Sequence, residues 1–187
     1  MKYYYLLSSF PRDVFGEPPP LSSDSLREQC EGALTTEDFR ELSLLMAGRS
    51  PDGRSEFNRR WADAEIQIGN ECARRRAGFW GESGQLDLQE DSGIDLQILE
   101  TVQEAFEKPT PLERERVLDS LRWGLSSDFS HLDPFGLSSV LACAIHVGIS
   151  EKWAALNRNA GVGKFNSFVS ENLGQRTYLT EFEVYGK

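Results

Sequence analysis

Residues 56–79 read EFNRRWADAEIQIGNECARRRAGF. Within this stretch Phe57, Trp61, Ala64, Ile68 and Cys72 recur at spacings of four, three, four and four. That rhythm holds one apolar stripe on one side of an α-helix. Gly69 weakens the middle of the helix by about 1 kcal/mol relative to alanine. Arg74, Arg75 and Arg76 fall in its last turns, where cations suit the helix dipole. Successive helical positions point about 100° apart. The three arginines therefore make a poor phosphate clamp, and at least one is expected to turn inward to a carboxylate.

The same periodicity extends in both directions. After a polar, acidic loop at 81–93 (GESGQLDLQEDSG), Ser92 with Asp95 opens a helix through about Lys108. Its stripe is Ile94, Ile98, Leu99, Val102, Ala105 and Phe106. Thr110-Pro111-Leu112-Glu113 is the best helix start in the chain. It combines a capping threonine, proline at the first helical position and glutamate three residues after the threonine. This helix is expected to reach about Leu125 and to bury Val117, Leu118, Leu121 and Leu125. Asp133-Pro134 promises the same kind of start for an apolar helix through about Leu156, buried on more than one side. Lys164 to Leu173 reads as a short final helix.

Upstream, Ser22 to Leu34 reads as a helix with a cap at Ser22 or Ser25. Thr35 opens another that reaches about Ala47 and is closed by Gly48. Ser50-Pro51-Asp52-Gly53 is a turn. Residues 11–21 form a proline-rich connector, stiffened by Pro18, Pro19 and Pro20. Tyr3 to Phe10 is ambiguous: its tyrosines favour a strand and its Leu6-Leu7 pair a helix. Tyr178, Phe182 and Val184 give the tail a strand-like pattern. The expected fold is mainly α. It is a single domain of about six to seven helices over 1–174, with room for short terminal strands and a C-terminal arm at 175–187.

Composition narrows the function. The chain has 187 residues, 39% hydrophobic and 27% charged, with a formal net charge of -10. That balance suits a globular domain. Its sign opposes binding to nucleic acid or to anionic lipid, both of which need clustered positive charge. Cys30, Cys72 and Cys143 are scattered and odd in number, which suits reduced cytoplasmic thiols. The apolar run from Val140 to Ile149 falls short of the roughly 18 residues of a membrane span. No direct membrane insertion is expected.

Each catalytic motif lacks a part. Gly161-Val162-Gly163-Lys164 suggests a phosphate-binding loop. Arg158 stands where the first glycine belongs, and Phe165 where a hydroxyl would hold magnesium. Cys143 and His146 lie three apart on a helix, but a zinc site needs three or four ligands and no second Cys/His pair is near. No G-x-S-x-G occurs. His131 near Asp133 sits in a helix-entry loop, where capping and solvation are the ordinary roles. Neither a cofactor nor a metal is expected, and no catalytic residue.

Four stretches together resemble a bacterial family known as domain of unknown function 2764. They are the opening KYYYLLSSFP with FGEPPPLS, the helix WADAEIQIGNECARRRAG, the segment PLERERVLDSLRWGL, and FGLSSVLACAIHVGISEKW. Matching positions are Trp61, Glu65, Asn70, Ala73, Arg76 and Ala77 on the long helix. On the next signature they are Pro111, Glu113, Glu115, Asp119, Arg122 and Trp123. The likeness runs from the start to about Phe168 and leaves out the tail; the family often has a basic residue where Gly69 stands. Its members are typically encoded beside subunits of V/A-type ATPases. The resemblance therefore implies a peripheral, cytoplasmic component of such a machine, reaching the inner membrane through its partner complex. A relation to the longer, repeat-built C/d-type subunit that seats the central stalk would be implied as well.

The resulting expectation is a non-catalytic helical coupling or assembly subunit with V/A-type ATPase partners. Glu65, Asn70, Arg76, Glu113, Asp119 and Arg122 are its candidate inter-helix polar network. The alternatives are a small hydrolase or metal enzyme using His131, Asp133 or Cys143 with His146, and an unrelated adaptor working through the C-terminal arm.

Overall fold

The structure, a computed structural model, describes residues 2–80, 86, 88–90, 93 and 95–156. Seven α-helices occur among them: α1 (Tyr4–Ser9), α2 (Ser23–Glu31), α3 (Thr36–Met46), α4 (Glu56–Trp80), α5 (Leu96–Glu107), α6 (Pro111–Ser130) and α7 (Leu137–Ala155). No strand occurs among the described residues. The mainly helical expectation holds. The glycine-rich segment 161–164, the helix at 164–173 and the arm at 175–187 lie outside the described residues, as does most of the acidic loop.

Caps set most of the boundaries. Ser22, Thr35, Asp95 and Thr110 each accept a hydrogen bond from a backbone N–H two or three residues on. This satisfies amides that the first helical turn leaves unpaired. Of the two starts open for α2, the chain uses Ser22. The α3 helix ends in a Schellman pair: Gly48 N–H donates to the Leu45 carbonyl and Arg49 N–H to that of Leu44. Gly48 adopts φ of 69°, a left-handed conformation that glycine takes without cost. The turn after it is a short 3-10 helix, Ser50–Asp52.

Tyr4–Ser9 is helical, one of the two readings the sequence leaves open. Four boundaries differ from expectation: α2 ends at Glu31 and not near Leu34, α5 starts at Leu96 behind its cap Asp95 and not from Ser92, and two lie in the later helices. The α6 helix continues past Leu125 to Ser130. Its serines bond back into the helix: Ser126 and Ser127 donate to the Trp123 carbonyl and Ser130 to that of Ser127. The α7 helix starts at Leu137 behind Gly136, not at Pro134. There the Asp133 carbonyl closes a turn by accepting from Gly136 N–H and the Ser139 hydroxyl.

Two apolar clusters form the interior. The first gathers Tyr3, Leu26, Cys30, Leu42, Leu45 and Phe57 around Val140, Leu141 and Val147 of α7. The second joins Ala64, Ile68 and Cys72 of α4 to Ile98 and Val102 of α5 and Leu118, Leu121 and Leu125 of α6. Phe129 packs against both. The α7 helix buries Val140, Leu141, Ala142, Ala144, Val147 and Ile149, which is burial on more than one side, as expected.

Candidate functional site

A polar seam lies among α4, α6 and α7. Asp119, on α6, is 1% exposed. Its Oδ1 accepts from Arg122 Nη1 at 3.0 Å. Its Oδ2 accepts from Lys152 Nζ at 2.7 Å and from the Trp153 indole at 3.0 Å. Arg122 reaches the other way to α4, donating through Nε and Nη2 to the two oxygens of Glu65 at 2.8 and 3.3 Å. Lys152 also donates to Glu115. Three carboxylates and two cations thus join three helices.

Burial alone would make Arg122 easier to deprotonate, but the carboxylates of Glu65 and Asp119 outweigh it and hold the guanidinium charged. Lys152 behaves the same way: burial lowers its pKa, and Asp119 with Glu115 raises it further. A cluster this saturated fixes geometry. Truncating the buried Asp119 would leave its donors one acceptor short, at a cost of about 1–3 kcal/mol, although Arg122 keeps Glu65 and Lys152 keeps Glu115.

Of the six residues expected to form a network, the structure brings Glu65, Asp119 and Arg122 together. Asn70 is buried elsewhere on α4; it donates to the Gln89 carbonyl at 2.8 Å and accepts from Gln89 N–H at 3.0 Å. Glu113 stays at the start of α6, within 3.0 Å of the Thr110 hydroxyl. Arg76 is exposed on the surface of α4. The member that turns to a carboxylate is Arg75, half-buried and 2.8 Å from buried Glu71, while Arg74 reaches the same carboxylate at 3.4 Å from an exposed position. Sequence reasoning did not assign Glu71, Glu115, Lys152 or Trp153 to polar contacts. Only the ending EKW of the last helix hinted at the latter two.

Two adjoining hollows flank the seam. One, of about 610 Å³, runs along α4 and is bordered by Pro51, Glu65, Gly69 and Gln89. The other, of about 460 Å³, opens between α3, α6 and α7, with Asp119, Arg122, Lys152 and Gly148 on its walls. Leu45 and Trp61 line both.

His146 is a second polar centre. It is 9% exposed and stacked on Trp123, with ring centroids 3.8 Å apart and planes 3° apart. Its Nδ1 lies 2.6 Å from Asp13 Oδ2, its Nε2 3.0 Å from the Ser126 hydroxyl and 3.3 Å from that of Ser127. Phe15 meets Trp123 edge-on at 5.5 Å, so the proline-rich connector is strapped across α6 and α7. Burial pulls the Asp13 carboxyl up, but the hydrogen bond and charge of His146 outweigh it and leave it below its ordinary value.

The order Asp-His-Ser invites comparison with a hydrolytic triad, and the geometry argues against one. Ser126 is 0% exposed. Both serine hydroxyls are placed to donate to the Trp123 carbonyl. The neighbouring amides belong to a mid-helix ladder and cannot turn to an oxyanion. Burial pushes the Cys143 thiol up to about 12, away from the thiolate that a nucleophile needs. Asp13 and Ser126 occupy both ring nitrogens of His146, so it is not poised to share a metal with Cys143. His131 and Asp133 are both exposed in the loop between α6 and α7. Among the described residues no group of three or more His, Cys, Asp or Glu side chains has a metal-holding arrangement. Nor is any described helix long and apolar enough to cross a membrane.

No curated protein and no solved structure matches the chain. Residues 87–173 match the model of a family described as "Protein of unknown function (DUF2764)". The matched span begins before α5 and contains α6 and α7, and with them Asp119, Arg122, Lys152 and Trp153 of the seam. It omits α4 and Glu65, and it omits the connector that carries Asp13. Over these residues, just under half of the chain, the match supports the DUF2764 family.

Proposed function

We propose that this chain is a non-catalytic helical interaction subunit. The observation that carries the reading is the saturated seam: Asp119 takes three donors from α6 and α7, and Arg122 passes the contact on to Glu65 of α4. Acid–base catalysis needs a group free to exchange a proton with substrate. This cluster instead immobilises three helices against one another, which suits a part that must hold its shape while others bind to it. The more specific reading is an accessory component of a V/A-type ATPase that couples or seats stalk and membrane-ring subunits. It is supported by the likeness of the chain to a family encoded beside such subunits.

Capture of the tagged protein from native membranes, followed by mass spectrometry, tests the specific reading. ATPase subunits should co-purify and be lost after a wash at low ionic strength. Recovery of the tagged chain alone overturns the ATPase assignment. The competing hydrolase reading draws on the Asp13–His146–Ser126 geometry. A fluorophosphonate probe tests it: modification of Ser126 or Ser127 would overturn the non-catalytic reading.

A further inference from the structure

The two hollows form one trough, because Leu45 and Trp61 belong to both. One wall is a continuous stripe of α4 from Trp61 to Ala73 at three- and four-residue spacing, about 18 Å long at helical rise. Beyond Trp61 the wall passes to α7, through Ala144, Ile145 and Ile149. The lining mixes apolar side chains with polar ones, Ser50, Asn70 and Gln89 in the first hollow, and its charged groups gather at the seam. At that place Arg122 and Lys152 are already held by carboxylates. The Glu65 and Glu115 side chains remain 35% and 39% exposed. Glu65 stands one turn along α4 from the half-buried Trp61, so an indole and a carboxylate share one side of the helix. That indole and carboxylate, with Glu115 lining the same hollow, are the chemistry that seats an ammonium or guanidinium group. Three carboxylates against two cations leave the walls net negative, in a chain whose own charge is -10.

We infer that this trough is the docking groove for a cationic amphipathic helix of a partner protein. Its apolar face would lie on Leu45, Ile66 and Ile145, and a lysine or arginine would enter between Trp61, Glu65 and Glu115. The inference rests on the interaction-subunit reading and deepens it. A groove about 18 Å long matches three turns of helix, and anchors at i, i+3, i+4 and i+7 are the usual way such a groove is filled.

The structure provides two clean ways to block it. An added Cβ at Gly69 or at Gly148 would meet nothing within 4 Å. Gly69→Leu therefore fills the first hollow and Gly148→Leu the second, and each replaces a helical glycine with a better helix former. The probe is a fluorescein-labelled peptide of about eighteen residues, built from lysine and leucine at helical spacing. A glutamate/leucine twin is the control. Fluorescence anisotropy should show the basic peptide binding the parent and weakening as salt is raised. Binding should fall at least about tenfold in each filled variant and in Trp61→Ala, with far-UV circular dichroism unchanged for the filled pair. The acidic twin should not bind. Equal binding by parent and filled variants, or by both peptides, overturns the groove. Self-association of the parent that Gly69→Leu abolishes would assign the trough to a second copy of this chain and overturn it too. If the peptide binds as expected while capture from membranes returns no ATPase subunit, the machine is wrong and the groove stands. If subunits are captured by the filled variants as well, the groove is wrong and the machine stands.

Discussion

Truncating Asp119 removes the buried acceptor shared by Lys152, the Trp153 indole and one arm of Arg122, while Glu115 and Glu65 still hold the two cations. Asp119→Ala should therefore destabilise the fold by about 1–3 kcal/mol, read as a lower urea midpoint at unchanged slope. Arg76→Ala removes an exposed side chain from the same helical system and should stay within about 0.5 kcal/mol of the parent. Equal losses in the two variants would mean that the seam is not what separates them. The contrast also shows what the residues alone could convey. Asp119 and Arg122 are three apart on one helix, so their pairing follows from spacing. Glu65 is 57 residues away from Arg122, and Lys152 is 33 from Asp119. No local rule selects those partners; only the packing of α4 and α7 against α6 does. The spacing of Arg74, Arg75 and Arg76 says only that they point in different directions, and the resemblance alone singles out Arg76. Which of them finds a carboxylate depends on the position of Glu71, one turn earlier.

At the level of elements, Thr35 and Thr110 were legible as caps, while the α5 start read at Ser92 falls at Asp95, whose own carboxylate takes the amides of Gln97 and Ile98. Thr110 is the clearest case, and Thr110→Ala should cost about 1 kcal/mol, measurable by thermal melting. Boundaries failed where the determinant is not local. The serines at 126, 127 and 130 look like an exit from the helix, yet they bond back to its carbonyls and stay in it. Asp133-Pro134 looks like an entry and is a turn. The loop into α4 depends on Glu41, whose carboxylate accepts from the amides of Arg54 and Ser55 and from Asn58 Nδ2. Gly53 is required there by close approach, since a Cβ would sit 2.6 Å from Asn58 Cβ and 2.8 Å from Glu41 Oε2. Gly53→Ala should lower the melting temperature by several degrees, roughly what 1–2 kcal/mol does in a domain of this size. Gly69→Ala, in open space, should raise it slightly.

For the whole molecule, pH stability follows from three tethering carboxylates. Burial raises the pKa of Asp13, Asp38 and Glu41. Hydrogen bonds from His146 to Asp13, from Lys2 and Tyr3 to Asp38, and from the Arg54 and Ser55 amides to Glu41 outweigh it, leaving all three below their ordinary values of 3.8, 3.8 and 4.5. A depressed folded-state pKa contributes stability that is complete above the unfolded value and is lost as pH falls through the folded one. Urea midpoints should therefore vary little with these groups down to about pH 5 and fall at lower pH. Asp13→Asn and Glu41→Gln should each lower the neutral plateau and flatten the acid limb. A limb as steep in both variants as in the parent would exclude these groups as its cause. The thiols give an independent check. Burial pushes Cys30 up to about 11 and Cys143 up to about 12, and it raises Cys72 as well. A disulfide reagent should modify none of the three in the native protein and all three in urea.

The strap at the beginning of the described chain has a consequence for how the protein is made. Tyr3 closes the first core by donating its amide to the Phe135 carbonyl, and Asp13 meets His146 across 133 positions of sequence. A ribosome delivers Asp13 well before His146, which follows 133 positions later. The opening segment must wait for α7, at elongation rates of about 5–20 residues per second, for roughly ten seconds or more. Through that interval Leu26, Cys30 and Leu42 have been made but lack the apolar helix that covers them. Until α7 arrives, those apolar side chains are the ones most exposed to proteases and chaperones.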